Sequence, residues 1–199
     1  YAFDDDLGFL TSCPTNLGSG LRASVMLHLP ALVITNQIGR VLSAISQLGL
    51  AVRGLYGEGS EAIGNIYQIS NQMTLGFAER EIVENLQSVA GQIVEQERLA
   101  RDYLFKNNNE QLADRVFRAY GILSCARIVS SQEAMRLLSD VRLGVDLGII
   151  QEIDPKIFNE LLVKTRPNFL QKIAHRDLDA MGRDMMRAEI IRQTIKRQT

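Results

Sequence analysis

The spacing of apolar residues changes once along this chain, and that change limits the fold more than any single motif. Before about residue 70, short apolar runs alternate with breaks. Val25, Leu27 and Leu29 alternate with Ser24, Met26 and His28, which is the period of a half-buried strand. From Ala78 onward the repeat is helical, and Ile82, Val83, Leu86, Val89, Ile93 and Val94 share one face. These patterns predict strands over residues 7–13, 21–29, 50–55 and 65–70, and helices over 32–48 and 78–103. Pro14, Pro30 and Gly49 punctuate them. Strands joined by non-crossover loops, with two long helices, give an α+β layer: an antiparallel sheet covered by helices. The polar run Lys106-Asn107-Asn108-Asn109 is the expected boundary, giving domains 1–105 and 106–199. The second domain reads as all-α. Ser130 with Glu133 fits a capping box, Asp154-Pro155 fits a cap and first turn, and Asp179 opens a last helix.

Composition narrows the function classes. The chain has 199 residues, 46% of them apolar, which is enough to bury a core. Its net charge of -1 lacks the basic excess that general nucleic-acid binding needs, so no direct nucleic-acid partner is expected. The segment from Lys164 onward is nevertheless basic, with nine Lys/Arg against four Asp/Glu. No apolar run reaches membrane-spanning length, so no membrane role is expected. Two distant cysteines, Cys13 and Cys125, suit a reducing cytoplasm better than a disulfide framework. The chain starts at Tyr1 without an initiator Met and reads as a piece whose beginning lies elsewhere.

Most local motifs are weak. Gly57-Glu58-Gly59-Ser60-Glu61-Ala62 matches G-x-G-x-x-A, but the pattern after it is a strand and not a helix, which removes the dinucleotide reading. There is no P-loop and no G-x-S-x-G. His28 and His175, with two distant cysteines, make no metal cluster, so no protein-held metal is expected. Cys13 sits at a strand end, where the Thr15 hydroxyl could hydrogen-bond a thiolate; alone, a buried inert thiol is the simpler reading. Arg22 and Arg53 flank glycine-rich loops, where a guanidinium can grip phosphate or equally form a surface salt bridge. Glu58 lies between two glycines, as a solvated carboxylate also would.

Taken together the blocks say more. The string Cys13-Pro14-Thr15-Asn16-Leu17-Gly18-Ser19-Gly20-Leu21-Arg22-Ala23-Ser24-Val25 resembles the signature of guanidino (phosphagen) kinases. Arg53-Gly54-Leu55-Tyr56-Gly57-Glu58-Gly59-Ser60-Glu61 resembles their substrate loop, and Ile69-Ser70-Asn71 with Leu75-Gly76 also fits. The match covers roughly residues 7–101. The helical remainder resembles the added C-terminal domain of bacterial protein-arginine kinases.

The resemblance implies ATP as phosphoryl donor, with Mg²⁺ bridging its phosphates. Arg22 and Arg53 match phosphate-clamping arginines. The segment Arg22, Ala23, Ser24, Val25, Met26 and the loop Arg53, Gly54, Leu55, Tyr56, Gly57, Glu58 would line the nucleotide. Glu58 and Cys13 would align the acceptor guanidinium, and Glu58 would take its proton. There are departures: Met26 stands where the family has an adenine-packing histidine, and Gln68 where it has an aspartate. A further block, Arg183-Asp184-Met185-Met186-Arg187-Ala188, fits a phosphoarginine-binding motif, with Arg187 on the phosphate and Asp184 on the N–H edge; without the resemblance it reads as an exposed ion pair. The implied partners are protein substrates with exposed arginines, a zinc-containing activator, a Clp chaperone-protease, a stress-gene repressor and a second copy in a homodimer. The family's N-terminal half, with more of the arginine clamp, has no counterpart in these residues, so this chain alone is expected to be inactive. The alternative is a phosphoarginine-binding or dimerisation module without catalysis.

Overall fold

The computed structural model describes residues 1–54 and 62–196. The chain divides into two compact units, Tyr1–Ala100 and Arg101–Thr199, with the division inside a helix and not at the asparagine run.

The first unit opens with a small hairpin of β1 (Phe3–Asp4) and β2 (Gly8–Phe9). The Asp4 carboxylate closes the turn by accepting from the amides of Asp6 and Leu7. The strand expected over 7–13 is therefore cut to two residues, and Cys13 precedes a single helical turn at Pro14–Asn16. The main sheet contains β3 (Ser24–His28), β4 (Leu50–Gly54) and β5 (Ile66–Asn71). Their order is β3-β5-β4, and both outer strands are antiparallel to β5. So β3 and β4 run parallel to each other, and a crossover joins them, where non-crossover loops were expected. The crossover is built from α1 (Pro30–Ile34) and α2 (Ile38–Gln47), which carry the chain past the slot that β5 fills. The central place suits β5, in which Ile66, Tyr67, Ile69, Ser70 and Asn71 are all buried.

The single helix expected over 32–48 is broken. The Thr35 hydroxyl donates to the Ala31 carbonyl at 2.8 Å, and Asn36 takes a left-handed conformation (φ 58°), which asparagine tolerates better than most residues. Pro30 opens α1 in its first turn, where its missing N–H costs nothing. The first amides of α1 need partners. Ala31 and Leu32 donate to the two carboxylate oxygens of Glu97, each at 3.0 Å. Glu97 lies on α3 (Glu79–Asn107) and is only 4% exposed, so its charge is offset by the amides it receives and by the helix dipole.

The second unit contains the end of α3, then α4 (Asn109–Cys125), α5 (Ser131–Asp146), α6 (Lys156–Lys164), α7 (Pro167–Ala174) and α8 (Ala180–Lys196). The expected caps are in place. The Ser130 hydroxyl accepts from the Glu133 amide, Asp154 accepts from Lys156, and Asp179 accepts from Gly182. Leu112, Val116, Ala119 and Leu123 of α4 are buried, as are Leu138, Val141 and Gly144 of α5. Gly144 allows the closest approach: a Cβ there would stand 2.2 Å from a Val116 methyl. None of the described helices is long and apolar enough to cross a membrane.

A buried cation helps to hold α8 in place. Arg187 is 1% exposed, and its Nε donates to the Thr165 carbonyl at 3.0 Å. Its Nη1 donates to the Val129 carbonyl at 2.9 Å and to the Asp184 carboxylate. The Val129 amide in turn donates to the Asp184 carbonyl at 3.3 Å. The guanidinium thus ties α8 to the segment before α5 and to the end of α6.

Two stability predictions follow from these buried charges. Glu97→Ala removes both acceptors from α1, and urea denaturation is expected to show a loss of about 2–4 kcal/mol, with Glu97→Gln losing less. Arg187→Ala strands two carbonyls and a carboxylate, and is expected to cost about 3–5 kcal/mol, with Arg187→Lys only partly restoring stability because it lacks the fork of donors. Denaturation midpoints unchanged from wild type would contradict both assignments.

Candidate functional site

A cleft of about 520 Å³ opens beside the start of β4, and Cys13, Arg22 and Arg53 all line it, with Thr15, Asn71 and Gln72. Three separate segments deliver these residues, and the end of β5 organises two of them. Asn71 is buried. Its side-chain oxygen accepts from the Ala23 amide at 2.9 Å, and its side-chain nitrogen donates to the Leu21 and Met73 carbonyls at 3.0 and 3.3 Å. One amide side chain therefore fixes the residues on both sides of Arg22. It also explains why β3 begins at Ser24 and not at residue 21: the Ala23 amide is engaged by a side chain. Arg22 then reaches across to donate from Nη2 to the Ser70 hydroxyl at 3.1 Å.

The Cys13 loop is held by a second buried group. The Thr74 hydroxyl lies 2.6 Å from the Leu17 carbonyl and 3.3 Å from that of Thr15. The two loops approach so closely that Gly18 (φ +106°) admits no side chain; a Cβ would fall 2.9 Å from the Leu75 Cα. Within the loop, the Cys13 sulfur lies 3.0 Å from the Thr15 hydroxyl, the contact expected from the sequence.

The sheet register places the third residue. Met26, Gln68 and Arg53 stand directly opposite one another across β3, β5 and β4. Opposed residues share a sheet face. Ser24, Ser70 and Ala51 form the next row of that face, and Gln68 donates to the Ser24 hydroxyl at 3.1 Å. Ser24 and Met26 thus lie on the face of Arg53, with Met26 exposed, whereas Val25 lies on the other face, with Ile69 and Val52. Gly54 is buried opposite Tyr67, whose phenol is pushed up by burial. Leu55, Tyr56, Gly57 and Glu58 lie outside the described residues. The pinning roles of Asn71 and Thr74 escaped the sequence reading; their one signal was a polar residue closing an apolar strand, and another just after it.

In the second unit the Arg183–Ala188 block points largely inward. Arg187 and Ala188 are buried, Arg187 pairs with Asp184, and Arg183 donates to the Leu178 carbonyl at 2.8 Å. The opposite side of α8 opens on a cleft of about 700 Å³, lined by Gly182, Met185, Met186, Glu189 and Arg192, with Arg127, Arg176 and Leu178. Arg187 does not line it. Among the described residues no group of three or more His, Cys, Asp or Glu side chains is placed to hold a metal.

Comparison with known proteins matches the chain in two consecutive blocks. Residues 1–100 match the family described as ATP:guanido phosphotransferase, C-terminal catalytic domain, and residues 109–199 match the Protein-arginine kinase McsB C-terminal domain. The chain is 60% identical over 196 residues to a protein-arginine kinase of Brevibacillus brevis, covering 98% of this chain and 55% of that protein. It is 57% identical over 195 residues to that of Bacillus subtilis, covering 98% and 54%. With that of Geobacillus stearothermophilus it shares 57% over 199 residues, covering 100% and 55%. A crystal structure of lombricine kinase is similar at 35% identity over 48% of this chain and 26% of that one, with a TM-score of 0.42. The chain spans about half the length of the curated relatives it matches. With its first hundred residues matched to the catalytic domain and its whole length similar to protein-arginine kinases, the chain belongs to the ATP:guanido phosphotransferase family.

Proposed function

We propose that this chain supplies part of the catalytic site of a protein-arginine kinase, which moves the γ-phosphoryl group of ATP to the guanidinium of arginines in proteins. The observation that carries this reading is the meeting of Cys13, Arg22 and Arg53 in one cleft. Two guanidiniums on one side of a cleft suit a polyphosphate, because each presents several donors to its oxygens. A thiol at the same cleft suits a planar cation with N–H donors.

The chemistry follows from these groups. A guanidinium nitrogen of the acceptor attacks the γ-phosphorus, the bond from that phosphorus to the bridging oxygen breaks, and ADP leaves. Arg22 and Arg53 would hold phosphate oxygens and stabilise the charge that builds on them, which is where most of the rate of such reactions arises. Cys13, as thiolate, and Glu58 would orient the acceptor, and Glu58 would take the proton the nitrogen loses. Ala23, Ser24, Met26, Gly54, Leu55, Tyr56 and Gly57 would border the nucleotide, with Val25 behind them on the other sheet face. Mg²⁺ would arrive on the phosphates, since the charged groups described at the cleft, Arg22 and Arg53, are themselves cations; bound there it neutralises phosphate charge. The wider roles implied by the family belong to the same proposal: protein substrates, a zinc-containing activator, delivery to a Clp-type protease, control of a stress-gene repressor, a homodimer, and a cytoplasmic setting.

A second reading concerns α8. The cation-lined cleft beside it, with Arg127, Arg176 and Arg192, favours an anionic guest such as phosphoarginine. Arg183, Asp184, Arg187 and Ala188, which the family motif names for this role, do not line that cleft; Arg183 and Arg187 bind backbone carbonyls and would set the helix that borders the guest.

In the full-length protein, Arg22→Ala and Arg53→Ala are each expected to lower kcat for arginine phosphorylation by about 10²–10³-fold, and Glu58→Gln by at least as much. Near wild-type rates in all three would remove the catalytic assignment. For α8, calorimetry with free phosphoarginine is expected to show binding that weakens at least tenfold in Arg176→Ala with the fold retained; absence of heat in the wild type would end that reading.

A further inference from the structure

We propose that the catalytic cleft continues into a groove that receives an apolar side chain two positions from the target arginine in the substrate polypeptide. This rests on the arginine-kinase reading of the cleft given above. A second concavity of about 480 Å³ adjoins the first and shares Leu50, Asn71 and Gln72 with it. Leu48, Met73 and Phe77 line the added part. They are 56%, 60% and 51% exposed, and they come from three places in the chain: the end of α2, the turn after β5 and the approach to α3. Single exposed apolar residues are ordinary, but three converging on one concavity beside a reaction cleft form a binding surface.

The groove's polar lining is Asn71, Gln72, Glu81 and Asn85, of which Asn71 is committed to backbone groups. The carboxylate of Glu81, on the first turn of α3, already accepts from the Ala78 amide at 2.9 Å. The Gly76 turn (φ +83°) has open space at its Cα, so among the described residues no side chain closes the groove from that side.

The occupant follows from chain geometry. A free guanidino compound ends inside the first cleft and has nothing to place in the second. An extended polypeptide advances about 3.3 Å per residue and sends alternate side chains to the same side. The residue two positions from the reacting arginine therefore stands about 7 Å along on the arginine's own side, facing a concavity that shares Leu50, Asn71 and Gln72 with the first.

The test uses the full-length protein with MgATP and two end-blocked pentapeptides. Each has a central arginine flanked by glycines, with leucine at both ends in one and serine at both ends in the other. The leucine peptide is expected to show a KM about tenfold lower at similar kcat, the scale of burying one leucine-sized side chain. Phe77→Ser and Met73→Ser are each expected to erase most of that difference while leaving kcat and the melting temperature unchanged. Equal KM for the two peptides, or a preference that survives both variants, overturns the groove and leaves the kinase reading standing. A marked fall in melting temperature in both variants shows that the protein's own chain fills the groove, and also overturns it. Transfer to neither peptide overturns the groove and the protein-arginine reading together.

Discussion

The amide side chain of Asn71 is the point on which the candidate site turns. It is buried, so each of its polar atoms requires a partner, and it finds them in the backbone at Leu21, Ala23 and Met73. That single requirement stitches the end of the central strand to the segment bearing Arg22 and to the turn that follows. Thr74 repeats the device three residues later by binding the Cys13 loop through Leu17 and Thr15. Arg53 needs no such stitch, because its place is set by its ladder position opposite Gln68. Two loops are thus held at the cleft by side-chain-to-backbone bonds and a strand by its ladder.

Each compact unit also spends one buried charge on backbone groups. In the first, Glu97 satisfies the leading amides of α1. In the second, Arg187 satisfies carbonyls of Val129 and Thr165. Both charges occupy positions where an apolar side chain would leave helix ends or loop carbonyls stranded, a cost above that of the charge itself. For Arg187 this reframes its block on α8. The residue that most resembles a phosphate ligand is committed to the protein's own backbone, and the exposed cations at the cleft, Arg127 and Arg176, lie elsewhere, while Arg192 donates to the Ala126 carbonyl.

What was legible in the sequence is what local chemistry decides. The alternation at Val25, Leu27 and Leu29, the α3 stripe at Ile82, Leu86, Val89 and Ile93, the Ser130 cap and the Asp179 cap depend on neighbours a few residues away, and they stand where expected, whereas Val83, expected on that stripe, is exposed. The break at Asn36 was missed because apolar spacing runs on across it, while a hydroxyl and a left-handed residue end the helix. The central position of β5, and with it the crossover, is a competition among strands that no single segment reveals. Burial of Arg187 was invisible for the same reason: an i,i+3 pair looks solvent-exposed until distant carbonyls arrive. The cleft residues Cys13, Arg22 and Arg53 were legible only through family resemblance, since alone they suggested a buried inert thiol and surface salt bridges; the thiol is exposed. Glu58, expected to join them, lies outside the described residues.

In the proposed reaction this cleft takes part in forming a phosphorus–nitrogen bond. Phosphorus NMR of the full-length protein with MgATP and an arginine-containing protein substrate tests that bond itself. The expected result is a new acid-labile phosphoramidate resonance that grows with ADP in equal amount and is absent when Arg22 and Arg53 are both replaced by alanine. ADP appearing with inorganic phosphate alone, or a phosphoramidate resonance that persists in the double variant, would contradict it.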